Sequence, residues 1–220
     1  MKRHVCVAAL MLMAVVSLAA QAPPAGWKMR VDRSTSASDP DAAGTIKFVT
    51  MGTGFHATNP QAAVYWNPAN TASGNYTVEA TFAEREYMGL NSHPHPYGIM
   101  IGGNDMGTDN QTYLYCAAYG AGNFIVRGFG PAAFQMNGGR GEMNDAVNKA
   151  TAKGQPVSNK VAIKVSADKV ECIINDKTVA SYAKTDIVGA GKLKSTDGLY
   201  GIRFGHNTDA HISGLKMTKN

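Results

Sequence analysis

Apolar and polar residues alternate with a period of two through most of the chain beyond residue 44. Tyr76, Val78, Ala80 and Phe82 fall on one side of an extended backbone, and Thr77, Glu79, Thr81 and Ala83 on the other. That is the mark of a strand with one buried face. Leu114, Cys116 and Ala118 alternate with Tyr113, Tyr115 and Tyr119 in the same way. So do Val161, Ile163 and Val165 with Ala162 and Lys164, Val170, Cys172 and Ile174 with Glu171 and Ile173, and Tyr200, Ile202 and Phe204 with Gly201, Arg203 and Gly205. Shorter runs at 46–50, 55–58, 62–66, 97–101, 123–129, 177–182 and 211–218 fit further strands. Gly52-Thr53-Gly54, Gly120-Ala121-Gly122 and Asn175-Asp176 supply the tight turns between them. About ten to thirteen short strands without a βαβ unit predict an all-β, two-sheet antiparallel jelly-roll sandwich. Residues 131–156 are rich in glycine and asparagine, and a long loop or a short helix over Glu142–Ala152 fits them equally well.

The N-terminus breaks this pattern. Lys2, Arg3 and His4 precede an apolar run from Val5 to Ala20, and Gln21-Ala22-Pro23-Pro24 follows. A basic start, an apolar middle and small residues at the end describe a secretory signal peptide. Small residues favour cleavage after Ala19 or Ala22 over cleavage after Ala20. The run is short for a membrane span of ~20 residues, so no integral membrane anchor is expected. The expected organisation is a signal peptide over 1–22, a polar lead-in over 23–43 and one β-sandwich domain over 44–220. The destination is the periplasm or the exterior.

Charge excludes some partners. Of the 21 Lys and Arg, Lys2 and Arg3 leave with the leader, so 19 face 16 Asp and Glu. The remaining cations are scattered, and nucleic-acid binding needs a concentrated phosphate-neutralising patch. A basic amphipathic helix for a membrane surface is missing too. Cys6 departs with the leader, leaving Cys116 and Cys172. In an oxidising compartment such a pair suits a disulfide, and two separate buried thiols are the alternative.

Several segments resemble the laminin-G-like and concanavalin A-like jelly rolls. Asn75-Tyr76-Thr77-Val78-Glu79-Ala80-Thr81-Phe82 is similar to an early strand of that group. Asn159–Val165 followed by Val170–Lys177 is similar to its paired strands with a tight turn, with Asp176 where those domains often carry glycine. Asp197-Gly198-Leu199-Tyr200-Gly201-Ile202-Arg203-Phe204 and Asp209–Met217 resemble its closing strands. The resemblance covers roughly 45–218, and its style is closest to bacterial exported domains of the 3-keto-disaccharide hydrolase kind. It implies a fold shared by lectins, carbohydrate-binding modules, glucanases and adhesion domains, and so leaves activity open.

Glucanases of this fold carry acids along one strand as Glu-x-Asp-x-x-Glu or Glu-x-Asp-x-Glu. The nearest segment is Glu79–Glu84, where Thr81 replaces the middle Asp. Glu79 and Glu84 are five apart and so face opposite sides of a regular strand. A binding surface is easier to assemble. Trp66, Tyr97, Tyr113, Tyr115 and Tyr119 are candidates for stacking on a sugar ring, with Arg127 and Arg203 as polar companions. His93-Pro94-His95-Pro96-Tyr97 is held extended by its prolines, so its two histidines point the same way. It reads as a stiff exposed loop, as a ligand-contacting loop, or as part of a transition-metal site that His56, His206 or His211 joins only through the fold. Asn104–Asn110 offers oxygen ligands, with Asp105 and Asp109 as candidates for calcium, which many jelly rolls of this group bind in such turns. Tight-turn chemistry explains the same residues. Phosphate loops and nucleophile elbows are absent from the sequence. The expectation is an exported carbohydrate-recognising domain without its own catalysis, with an oligosaccharide or polysaccharide as partner. A glycan-active hydrolase of the same fold and a structural or adhesion domain are the alternatives.

Overall fold

The computed structural model describes residues 24–220, and the leader expected over 1–22 lies outside them. In chain order the strands are β1 (Lys28–Asp32), β2 (Lys47–Met51), β3 (Gly54–Asn59), β4 (Ala62–Ala72), β5 (Tyr76–Glu84), β6 (Pro96–Asn104), β7 (Thr112–Tyr119) and β8 (Asn123–Phe129). Two short strands follow, β9 (Ala133–Gln135) and β10 (Glu142–Met143). After them come β11 (Val157–Val165), β12 (Lys169–Ile174), β13 (Lys177–Ala183), β14 (Gly198–Phe204) and β15 (Thr208–Lys219). One sheet runs β1-β4-β14-β6-β7-β8-β10, with β9 also on β8; the other runs β13-β12-β11-β5-β15-β3-β2. Every strand pairing within the two sheets is antiparallel.

Alternation decides which side chains enter the space between the sheets. Along β5, Tyr76, Val78, Ala80 and Phe82 point inward and are buried, while their neighbours are half-exposed. Phe82 stacks on Tyr97 at 5.5 Å and meets Phe204 edge-on at 5.9 Å, and Phe204 meets Tyr65 at 6.2 Å. These rings tie β5 of one sheet to β4, β6 and β14 of the other, and burying each contributes ~1.5–3 kcal/mol. Tyrosine is tolerated there because its hydroxyl finds a partner. Asn59 Nδ2 donates to Tyr65 Oη (2.6 Å), and Asn159 Nδ2 donates to Tyr97 Oη (3.4 Å). Cys116 of β7 and Cys172 of β12 both point inward and are joined in a disulfide that ties the sheets together. The hairpin between β12 and β13 turns on Asn175 and Asp176, at φ 48° and 65°. That left-handed geometry is why glycine is common at the second position, and Asp is among the residues that accept it.

One expectation needs correction, and one pair of alternatives is decided. The sandwich begins upstream of residue 44: Lys28–Asp32, inside the supposed lead-in, pairs with Ala62–Trp66 as an edge strand. Trp27 packs there against Phe48 and Phe55, with centroids 5.3 and 5.0 Å away. No helix forms over 142–152. Glu142 and Met143 pair with Phe124 and Asn123 instead, and Asn144 Oδ1 accepts the Ala146 N–H to start a turn. The only helical turn among the described residues is the 3-10 turn Lys184–Asp186. None of the described helices is long and apolar enough to cross a membrane.

Candidate functional site

β6 and β7 are buried on both faces. One face meets the opposite sheet, and the other lines a trough formed by the curl of the first sheet. Cross-strand partners place Val64, Arg203, Gly98, Ala117 and Ile125 in one row across this face, and Trp66, Gly201, Met100, Tyr115 and Arg127 in the next. Strands sit ~4.8 Å apart, yet the Arg203 guanidinium lies 5.5 Å from the Phe129 ring, three strands away. The sheet must therefore curl strongly. Glycine permits this at two points: a Cβ on Gly98 would stand 2.0 Å from the Cys116 carbonyl oxygen, and one on Gly201 2.0 Å from that of Tyr65.

The middle of the trough is filled by its own side chains. Trp66, Met100, Tyr113 and Tyr115 form a second buried apolar cluster with Val64, Ala117 and Ile125. Tyr113 stacks on Phe129 at 4.9 Å, and the buried Arg203 lies 5.9 Å from the Tyr115 ring. Arg127 also lies over Phe129, at 5.5 Å. Asp32 of β1 pairs with Arg203 and anchors it. Burial pushes the phenols of Tyr113 and Tyr115 above their ordinary pKa, although the nearby Arg203 works against this. The expected stacking surface of Trp66, Tyr113, Tyr115, Arg127 and Arg203 is thus brought together on one face, but its tyrosines and tryptophan are packed and not open. Tyr97 requires a correction. It points between the sheets and is fully buried, because its parity on β6 is opposite to that of Met100.

Past Ala117 the trough opens. A cavity of about 500 Å³ is lined by Asp39, His93, His95, Tyr119, Asn123 and Arg140, together with Ser38, Pro94 and Gly139. Tyr119 continues the face of Tyr113 and Tyr115 and packs against the same cluster. The wall opposite is the loop 34–41. Ser34 Oγ donates to the Asp39 carbonyl (2.7 Å), and the Ser34 N–H to Asp41 Oδ2 (3.1 Å). Asn207 pins the loop from outside by accepting the Ala42 N–H (2.7 Å) and donating to the Pro40 carbonyl (3.1 Å). His206 bridges the two acids, with Nε2 3.2 Å from Asp39 Oδ2 and Nδ1 3.1 Å from Asp41 Oδ1.

His93 and His95 complete this end. Their rings are 4.6 Å apart, and His95 lies edge-on to His206 at 4.1 Å. His93 Nε2 lies 3.0 Å and His95 Nε2 3.8 Å from Asp39 Oδ1. The first is an ion-pair separation without hydrogen-bond alignment, since Asp39 Oδ1 is buried and has no hydrogen-bond partner. Burial raises the Asp39 pKa, but its histidine neighbours outweigh this and hold the carboxyl below its ordinary value. Burial also lowers His95 to about 4, so its ring is neutral near pH 7.

The other expected ligands go elsewhere. His56 and His211 lie on the outer face of the second sheet, with rings 4.7 Å apart, and His56 pairs with Asp209 at 3.4 Å. The calcium candidates each face a cation of the chain: Asp105 pairs with Lys194, and Asp109 with Arg30 (3.3 Å). The one group of three metal-binding side chains among the described residues is Asp39, His93 and His95. Glu79 and Glu84 face opposite sides, as their spacing predicts. Glu79 pairs outside with Lys216 and Lys160 at 3.1 and 3.4 Å, while Glu84 is buried inside. A second cavity, about 410 Å³, is lined by Trp27, Phe55, Asn70, Tyr200 and Leu215 but brings no charged side chain to its wall. Convergent polar groups mark the first cavity as the stronger site. Asp39, Asp41, Asn123 and Arg140 were not legible as site residues, because nothing links 39 and 41 to 206 along the chain.

No family model and no curated protein matches this sequence. Solved structures do match. The carbohydrate-binding module CBM66 from Bacillus subtilis is 11% identical with a TM-score of 0.53, over 88% of this chain and 96% of that one. A family 16 endo-glucanase from Bacteroides ovatus is 10% identical with a TM-score of 0.53, over 87% and 94%. The lumenal domain of VIP36, in its Ca2+- and Man3GlcNAc-bound form, is 9% identical with a TM-score of 0.50, over 89% and 84%. The chain shares their fold. At this identity the likeness extends to the fold alone, and a binding module and a hydrolase carry it equally.

Proposed function

We propose that this chain is an exported carbohydrate-recognising module that holds an oligosaccharide or polysaccharide at the open end of the trough, without catalysis of its own. The observation that carries the reading is the cavity beside Tyr119, where one phenol face meets a converging set of imidazole, carboxylate, amide and guanidinium groups. A sugar ring presents an apolar face for the phenol and vicinal hydroxyls that suit Asn123 and Arg140. Sharing a fold with a carbohydrate-binding module adds support. Export is part of the proposal, and the Cys116–Cys172 disulfide favours it, since such bonds persist in oxidising compartments.

The test is calorimetric titration of the mature protein with a panel of plant and bacterial oligosaccharides, followed by NMR mapping of the selected sugar. Shifts centred on Tyr119, Asn123 and Arg140, with the oligosaccharide recovered uncut, are the expected outcome. Release of new reducing ends would replace the binding module with a hydrolase. Absence of binding across the panel would leave a structural or adhesion domain. Export is checked by N-terminal sequencing of the protein recovered outside the cytoplasm, which is expected to start close to residue 20 or 23.

A further inference from the structure

We propose that Asp39, His93 and His95 bind a divalent transition-metal ion of the zinc type at the wall of this cavity. The site goes beyond the glycan reading and stands without it. One ligand atom from each side chain lies within 4.8 Å of the others. A tetrahedral centre with bonds of about 2.0–2.1 Å holds its ligand atoms about 3.3 Å apart. The separations from Asp39 Oδ1, 3.0 Å to His93 Nε2 and 3.8 Å to His95 Nε2, bracket that value.

Two further features point to a cation between these groups. Asp39 Oδ1 is buried and takes no aligned hydrogen bond although His93 Nε2 stands 3.0 Å away, and an ion shared between the two atoms satisfies both. The other oxygen, Oδ2, is already held by His206, which Asp41 orients from its far side. A ligating carboxylate with its second oxygen hydrogen-bonded in this way is the usual outer arrangement of a metal site. The local sequence fits as well. Pro94 and Pro96 hold the strand entry extended, so residues two apart present their rings to one side.

The donor set selects the ion. Two imidazoles and one carboxylate suit zinc and its neighbours. Calcium takes six to eight oxygens, and this group offers one carboxylate. Asn91 Nδ2 lies 3.1 Å from His95 Nε2 and is the group the ion displaces. Three protein ligands leave a fourth position facing the cavity, open to water or to a hydroxyl.

The experiment titrates the mature, metal-stripped chain with Zn2+ alone by calorimetry, and with Co2+ for its visible spectrum. One ion per chain at micromolar affinity or tighter, with the intense visible band of four-coordinate Co2+, is expected. His93→Ala and His95→Ala each weaken binding by roughly 100-fold or more, and His206→Ala by about 10–100-fold. His93 is nearly half exposed, so His93→Ala keeps its fold and its melting temperature even where His95→Ala does not. No saturable Zn2+ binding, binding unchanged in His93→Ala, or a preference for Ca2+ would each overturn the assignment. A sugar is absent from every arm, so failure here is separable from failure of the glycan reading.

Discussion

The two ends of the trough grow from the same strands, yet one is closed and the other open. β7 lays Tyr113, Tyr115 and Tyr119 on a single face. Over the first two, the curl of the sheet brings Phe129 and Arg203 down onto the rings, and the result is a second core. At Tyr119 the strand is ending, and the covering comes from loops near residues 39, 93 and 140, whose side chains are polar. The aromatic pattern is identical in both places. What differs is the partner: a curled sheet supplies rings and an anchored arginine, whereas loops supply acids, amides and imidazoles. A stripe of tyrosines on a strand face therefore says little about binding until the curvature of the sheet is known.

The largest expected effect separates the ends by stability. Tyr115→Ala empties a packed site and is expected to cost about 3–5 kcal/mol in urea unfolding, the range for large aromatic truncations. Tyr119→Ala removes a partly buried ring at the edge of the same cluster and is expected to cost less, about 1–2 kcal/mol. Equal losses would mean that the open end is as much a core as the closed one.

This contrast also marks how far the sequence was legible. The sandwich was, because β5, β7, β11 and β12 alternate cleanly and their turns carry the right residues. The inward placement of Cys116 and Cys172 followed from the same parity. β1 was not legible: KMRVD alternates weakly, and its strand character comes from pairing with β4 at the sheet edge. Of the candidate site, His93 and His95 stood out through their prolines, whereas Asp39 and Asp41 come to His206 across more than 160 residues of chain. Tyr97 illustrates the remaining difficulty. It shares a segment and a parity with His93 and His95, but they precede β6, whereas Tyr97 lies within the strand and points into the core.

Beneath the open end the sandwich carries a buried acid. A Cβ on Gly120, the residue after Tyr119, would lie 2.5 Å from Glu84 Oε2, and that oxygen has no hydrogen-bond partner. Burial pushes the Glu84 pKa up to about 8; the Asp209 charge adds to this and the Tyr97 hydroxyl works against it. A carboxyl with a raised pKa holds its proton in the folded state after the unfolded chain has released it. Stability contributed by this group is therefore intact below the ordinary value near 4.5 and is lost as pH rises toward 8. Glu84→Gln keeps the shape without the charge. It is expected to be close to neutral at pH 5 and to stabilise the protein by roughly 2–4 kcal/mol at pH 9, read from chemical denaturation at both values. A flat difference across that range would show that Glu84 is ionised and solvated, and that the open end reaches deeper than the cavity described.

Arg203 tests whether the closed end depends on its anchor. Breaking a fully buried ion pair costs about 3–5 kcal/mol. Asp32 is about one-third exposed, so water recovers part of the loss and Arg203→Met is expected to cost ~2 kcal/mol. Adding Asp32→Asn to Arg203→Met is expected to return part of that, because the stranded charge is gone, and a double-mutant cycle isolates the coupling. Neither variant should change glycan affinity by more than about twofold if the two ends are independent. A large gain in affinity would mean that Arg203 is a plug and that the aromatic trough is a glycan site held shut.

The smallest effect bears most directly on function. A phenol face beneath a sugar contributes ~1 kcal/mol, so Tyr119→Ala is expected to weaken the selected oligosaccharide by about fivefold, with the fold intact. Calorimetry detects a change of that size, and the stability measurement above shows whether the loss comes from unfolding. Unchanged affinity in Tyr119→Ala, together with lost affinity in a folded Tyr113→Phe variant, would move the sugar to the closed end. Tyr113 is the informative partner because its hydroxyl is buried without a hydrogen-bond partner. Removing that hydroxyl relieves an unsatisfied group and should stabilise the free protein, so a loss of binding there has no explanation in folding.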